Sequence, residues 1–369
     1  MRQKLFALPL SLRLTIWLIV GFWLIIAIFP LLWLVVMSFK LPIDAFDANP
    51  FKVILGPITS QTVGGFSLIT LVLVLMTLYG LLQLFARREF YFARFQVGLG
   101  LQIIFYLGLL ALAMLSFPLA NFISQSLSNL LGDNNFLTKP IFGLTGQHYH
   151  AVWFENGFYK QFLNTMMVTL GVVSISLTIG TLAAYALARS NSSWAFWILL
   201  VALVFRAMPH STLVTGYLPP FIEWGLYGKR IAVIIVLVAI NQPFTIWMLR
   251  SFFMNIPASL DEAALVDGCN RLQAFRQVIM PIMWPGVITT GLFSFMLAYN
   301  DYLVSALLLD GESRTMVPAI MSYFNRETTL TDQLEAIAAA ASITFPIFLL
   351  VLFFQKQIVS GLTQGAVKG

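Results

Sequence analysis

Long apolar runs separated by short polar segments set the pattern of this chain. The first, from about Leu14 to Met37, follows a short basic head, Met1 to Arg13, and exceeds the roughly 20 residues that a helix needs to cross a bilayer. It is longer than a signal-peptide core and no small-residue cleavage site follows it, so it reads as a retained anchor. Further runs lie at about Phe66–Phe85, Val97–Phe117, Gln161–Ala188, Trp194–Thr215, Ile231–Leu249, Val287–Leu309 and Ala336–Phe354. All are read as helices, because backbone polar groups in hydrocarbon must bond within their own segment. The pattern predicts an all-α, polytopic transmembrane helical bundle of about eight spans.

One polar island interrupts the apolar pattern, from Asn255 to Pro285. Ser259 is placed to cap a helix whose first turn carries Asp261 and Glu262, and Gly268 is placed to stop it. A second amphipathic turn follows as far as Pro281 and Pro285, which fix where the next span begins. The island predicts helix, turn, helix.

Composition agrees with a membrane protein: 59% of residues are hydrophobic, 10% are charged, and the mean hydropathy is +0.87. The formal charge of +6 does not argue for nucleic acid, because the basic residues flank apolar runs rather than cluster. With the N-terminus inside, inner segments receive Arg2, Lys4, Arg13, Arg87, Arg88, Arg94, Arg189, Arg250, Arg271, Arg276, Lys356 and Lys368. Outer loops receive most of the acids, among them Asp44, Asp133, Glu155, Glu223, Asp310 and Asp332. Both termini and the island are thereby expected in the cytoplasm. Cys269 is the only cysteine, so an intrachain disulfide is excluded.

The string Glu262-Ala263-Ala264, Asp267-Gly268, Phe275, Ile279, Pro281 and Pro285 closely resembles the EAA loop of ABC-importer permeases. Cys269 and Met280 depart from the family pattern, where Ala and Leu are usual, and keep the size class. Phe162-Leu-Asn-Thr165, Ala183 to Arg189, Asn241-Gln-Pro-Phe244 and Tyr299-Asn-Asp-Tyr302 are similar to the carbohydrate-uptake branch. The closing Gly361 to Gly369 is similar to the tail of the smaller, G-type permease of maltose-type importers. The resemblance implies ABC ATPase subunits as partners, together with a second, F-type permease, an external solute-binding protein, a sugar substrate and surrounding membrane lipid. It also implies that Glu262, Ala263, Ala264, Asp267, Gly268, Phe275, Pro281 and Pro285 couple the permease to its ATPase.

Such permeases usually have a six-span type I core, whereas here a two-span hairpin follows the first span, which leaves the sidedness of the core unchanged. The expected domains are an N-terminal anchor (1–40), an inserted hairpin with an external loop (41–160) and the permease core (161–369). Lipid-facing packing and an extra subunit contact are both open as roles for the insertion. Within the spans, Asn300 and Asp301 are expected about 20 Å along the seventh helix. They either line the pathway or hold helices together. Asn241 and Gln242 can bond sugar hydroxyls or support a kink at Pro243, and Arg206 can pair with Asp301 or with a partner's polar group.

His148, His150 and Glu155 make too weak a cluster to predict a metal, and no phosphate-binding glycine loop or nucleophile motif occurs. No cofactor and no nucleic acid are expected, and ATP hydrolysis is expected on a separate subunit. The sequence therefore predicts an inner-membrane permease of an ATP-driven sugar importer. The alternatives are an importer for glycerol phosphate or another polyol-like solute and, from a different class, a secondary transporter or channel. A tag or thiol placed near Arg88 or Arg94 is predicted to be cytoplasmic, and one near Asn134 external. Labelling of Arg88 from outside, with the N-terminus inside, would contradict the inserted hairpin.

Overall fold

A computed structural model describes residues 10–86, 99–131, 137–190, 192–206, 208, 210–324 and 329–366. The inner turn expected at Arg87, Arg88 and Arg94 lies outside the described residues, as do Asp133, Asn134 and Pro209. Of the basic head and of the tail, the backbone of Leu10 to Arg13 and of Gly361 to Ala366 is described. The chain divides into two compact units, Met1–His150 with Thr329–Ala341 and Ala151–Thr328 with Ser342–Gly369. Among the described residues, seven helices are long and apolar enough to cross a membrane.

The first unit begins with α1 (Leu10–Ser38), whose apolar window has 0% of its residues buried, as a helix with a lipid-facing surface would. Three short helical turns follow, Pro42–Ala45, Pro50–Leu55 and Pro57–Thr62, each with proline in its first turn, where the missing N–H costs nothing. Strand β1 (Gly65–Ser67) leads into α2 (Leu68–Ala86), and α2 packs on α3 (Leu99–Leu131). Strand β2 (Pro140–Gly143) then pairs antiparallel with β1, Gly65 opposite Gly143. A Cβ on Gly143 would stand 2.2 Å from the Gly56 carbonyl and 2.3 Å from the Ser60 nitrogen, so only glycine fits.

Within the segment expected to hold the external loop, residues 120–131 extend α3 and Pro140–Gly143 is a strand. The buried Asp44 carboxylate pins the short turns by accepting from the Thr59 amide and hydroxyl at 2.6 and 2.7 Å. Lys40 is also buried and donates to the Gly143 carbonyl; burial lowers its ammonium to about 8. His148 places Nε2 3.0 Å from the Lys40 carbonyl, so its ring serves this packing.

The second unit is built around α4 (Phe158–Arg189) and α7 (Arg230–Met254). A Cβ on Gly171 would meet Ile234 at 2.8 Å and one on Gly180 would meet Thr245 at 2.7 Å, so the two glycines let the helices approach closely. Between them stand α5 (Ser193–Arg206) and α6 (His210–Glu223), of 14 residues each. These replace the single fifth span expected over Trp194–Thr215. Proline at position 209 lacks an N–H and disfavours a helical residue before it, and Met208 turns back by donating to the Phe205 carbonyl at 3.1 Å.

The polar island forms α8 (Ser259–Val266), α9 (Arg271–Ala274) and a π-helical turn, Phe275–Ile279. It continues into α10 (Met280–Tyr299), which is followed by α11 (Leu303–Leu308), α12 (Met316–Met321) and α13 (Leu330–Ala366). The helix expected as the seventh span is the sixth of the seven apolar helices described; it runs Arg271–Tyr299 and ends before Asn300, not at Leu309 as the hydropathy suggested. No break occurs at Gln242-Pro243, since α7 runs through both residues. Two apolar cores fill this unit: one gathers Val172, Val236, Ile240 and Leu308, and the other gathers Ala184, Leu249, Phe253, Phe275, Ile279 and Met283.

Candidate functional site

The island is folded by local rules that are visible in its residues. Gly268, at φ +88°, ends α8 in a left-handed conformation. Its amide donates to the Leu265 carbonyl at 3.1 Å and the Cys269 amide to Ala264 at 3.0 Å, the paired bonds that close a helix C-terminus. Ser259 does not cap α8: Pro257 and Ala258 already supply its first carbonyls, and the capping position is Ala258. The side-chain cap belongs to α9, where Asn270 accepts from the Gln273 amide at 2.9 Å and Gln273 accepts from the Asn270 amide at 2.8 Å. The spacing Asn-x-x-Gln was legible and was passed over.

The π turn ends at Ile279, two residues before Pro281, whose ring nitrogen has no proton to give to the preceding turn. It turns Phe275 and Ile279 into the apolar core while Arg276 stays exposed. Pro285 lies inside α10 with its carbonyl taken by the Thr289 hydroxyl at 2.9 Å.

What holds the island is a carboxylate. Asp261 Oδ1 accepts from the Tyr185 hydroxyl at 2.5 Å, and Oδ2 accepts from Arg189 Nε at 2.8 Å. Arg189 Nη2 lies 2.8 Å from the same Oδ2 as an ion-pair contact, and Nη1 donates to the Phe253 carbonyl at 3.3 Å. The Tyr185 ring packs on Phe253 and Phe275, with centroids 5.6 and 4.9 Å away. Thus α8, the end of α4, the end of α7 and the π turn meet at one cluster. In the sequence Asp261 stands as a helix-start acid, and Arg189 as a topological charge closing the Ala183–Arg189 string, with nothing to join them.

This clamp decides which way the expected coupling residues face. Ala264 and Phe275 are buried within the unit. Glu262, Ala263, Asp267, Gly268, Pro281 and Pro285 are exposed. Beside them stand Val266 and Leu272, 87% and 68% exposed, two apolar residues that the sequence reading did not single out.

The residues expected along the pathway separate into two places. Buried Asn241 donates to Ser294 Oγ of α10 at 2.7 Å, and Gln242 Nε2 donates to the Ser176 carbonyl of α4 at 3.3 Å. The Arg206 guanidinium lies 4.5 Å from the Phe244 ring centroid, and its Nε is buried without a hydrogen-bond partner among the described residues. Residues 241–244 of α7 are thus a polar crossing of α4, α5 and α10. Asn300 and Asp301 belong elsewhere, past the end of α10: Asp301 Oδ2 accepts from the Ser305 amide and hydroxyl, both at 2.8 Å, and so caps α11. Asn300 is exposed and donates to the Met296 carbonyl at 3.1 Å. The position expected within the seventh span is corrected accordingly, and Arg206 pairs with Phe244 rather than with Asp301.

Residues 176–364 match the family model described as "Binding-protein-dependent transport system inner membrane component". The chain belongs to that family. This permease is 33% identical over 227 residues to the trehalose transport system permease protein SugB of Mycobacterium tuberculosis, a match spanning 61% of this chain and 83% of that one. It is 32% identical over 228 residues to the diacetylchitobiose uptake system permease protein DasC of Streptomyces coelicolor, spanning 61% and 82%. To the trehalose/maltose transport system permease protein MalG of Thermococcus litoralis it is 35% identical over 204 residues, spanning 55% and 72%. The clamp, the loop and the polar crossing lie within the family match, whereas the α2–α3 hairpin lies before it.

Removing the Asp261 carboxylate should release α8, because hydrogen bonds to a charged acceptor contribute about 1.5–3 kcal/mol. In the permease, Asp261→Ala is expected to speed tryptic cleavage at the exposed Arg271 and Arg276 by roughly tenfold or more. Gly268→Ala should have a smaller effect, about 1 kcal/mol, since a Cβ there meets nothing within 4 Å and only backbone strain is added. Cleavage of Asp261→Ala at the wild-type rate would show that the clamp does not hold the loop.

Proposed function

We propose that this permease forms one half of the membrane channel of an ATP-driven importer for a sugar or oligosaccharide. A separate ATPase subunit docks on the face carrying Glu262, Ala263, Val266 and Leu272, and closure of the ATPase pair moves the loop. Because Asp261, Tyr185 and Arg189 tie α8 to the ends of α4 and α7, that motion passes to the two central helices rather than being lost in a flexible connector. The clamped loop is the observation that carries this reading.

A second, F-type permease completes the channel, and an external binding protein delivers the solute. The polar crossing at Asn241, Gln242 and Arg206 lies on the pathway, and amides suit hydroxyl-bearing solutes because each carries both donors and an acceptor. The carbohydrate names of the relatives support a saccharide over glycerol phosphate or another polyol. Asn300 and Asp301 are proposed to shape the end of α10, through the cap on α11, instead of lining the route mid-span.

The test is ATP hydrolysis by the reconstituted complex with and without loaded binding protein. Glu262→Ala and Val266→Asp are expected to leave the permease in the membrane and to abolish the stimulation, which the wild type retains. Wild-type stimulation in both variants would reduce the loop to a connector, and uptake without any ATPase would favour a secondary transporter.

A further inference from the structure

Among the described residues the α2–α3 hairpin contributes nothing to the clamp or the polar crossing, yet the last turns of α3 are rich in polar side chains, four of which share one face. Asn121, Ser124, Gln125 and Ser128 fall at i, i+3, i+4 and i+7, one face of the helix. Polar groups on a membrane helix are costly unless something satisfies them. Part of the stripe is answered within the unit: Ser67 Oγ lies 2.7 Å from Ser124 Oγ and 3.0 Å from Thr70 Oγ1, and Thr70 donates to Asn121 Oδ1 at 3.3 Å. Those bonds account for the buried end of the stripe. They leave the exposed Gln125 amide, which stands on the rim of a cavity of about 290 Å³.

The same cavity is lined by Ser67, Asn121, Ser124, Ser128 and Thr138, so hydroxyls and amides converge on it and, among the described residues, no charged side chain does. That chemistry excludes a metal ion, which needs carboxylates, imidazoles or thiolates, and gives an anion no cationic partner. Hydroxyls and amides each donate and accept, which matches the vicinal hydroxyls of a neutral polyhydroxylated ring. The volume stands at the small end of ligand pockets, about 300–1,000 Å³, and suits one ring rather than a chain of them.

We propose that this cavity binds one neutral glycosyl unit, held by the Gln125 and Asn121 amides over the Ser67–Ser124 hydroxyl pair. The proposal rests on the cavity alone and not on the transport reading. A glycosyl ring can reach the cavity as a free saccharide or as the headgroup of a membrane glycolipid, and the chemistry of the lining is the same for both.

The test uses the full-length permease, in its complex, in lipid nanodiscs. Binding is measured by saturation-transfer NMR with methyl glucoside, and by enrichment of monoglucosyl diacylglycerol over diacylglycerol in the lipid that co-purifies. Gln125→Leu, at an exposed position outside the hydroxyl network, is expected to weaken one of these by about tenfold, the worth of a lost hydrogen-bonding group whose partners stay buried. Loss of the methyl glucoside signal identifies a free saccharide as the ligand, and loss of glycolipid enrichment identifies the headgroup. As a second measurement, Gln125→Cys in a Cys269→Ser background should be protected from maleimide by whichever ligand binds. Binding that is absent from both arms, or unchanged in a well-folded Gln125→Leu without protection of Gln125→Cys, overturns the proposal. Glu262→Ala serves as the control: it should stop ATPase stimulation and leave this binding intact, so failure of one reading is distinguishable from failure of the other.

Discussion

A half-buried carboxylate, Asp261, holds a short helix against the ends of two long ones, and the geometry of the loop follows from it. The pair it makes with Arg189 is partly exposed, at 21% and 15% of the side chains, so the ion pair taken alone would be worth little. Its strength comes from company: Tyr185 gives the same carboxylate a second, charge-assisted bond, and the ring beneath that hydroxyl packs on Phe253 and Phe275. Polar and apolar contacts are thus made by one residue, Tyr185.

With the clamp in place, the remaining features of the loop fall into order. Gly268 reverses the chain, the Asn270–Gln273 box restarts it, and the π turn before Pro281 rotates Phe275 and Ile279 into the core. What is left outward is a small surface with two carboxylates, Glu262 and Asp267, and the bare apolar side chains Val266 and Leu272. A flexible loop would not present such a surface in a fixed attitude to the long helices, and a lever requires that attitude.

Much of this was legible in the residues. Apolar runs located the long helices, because length and composition alone decide whether a helix can span a bilayer. The stop at Gly268 was legible because only glycine adopts that backbone readily. The clamp was not, because Asp261 and Arg189 are 72 residues apart and nothing local links a helix-start acid to a helix-end base. The outer limit of α10 is hidden for a related reason: Leu303 to Leu309 continue the hydropathy of the helix, and the break is marked only by Asn300-Asp301, whose Asp301 carboxylate accepts from the first turn of α11. The polar stripe on α3 lies beyond the expected span Val97–Phe117, in residues whose polarity reads as external loop; only their spacing on one helix face carries the information.

The central claim is that the loop and the end of α4 move as one body. The single native Cys269 allows this to be measured directly with a spin label there and another on Ser190→Cys, just beyond α4. In the assembled transporter, the distance between the two labels should stay constant, within the spread of a single conformer, between the nucleotide-free and ATP-bound states. A change of several ångströms, or a broad distribution in either state, would contradict the clamp as the element that carries motion into the bundle.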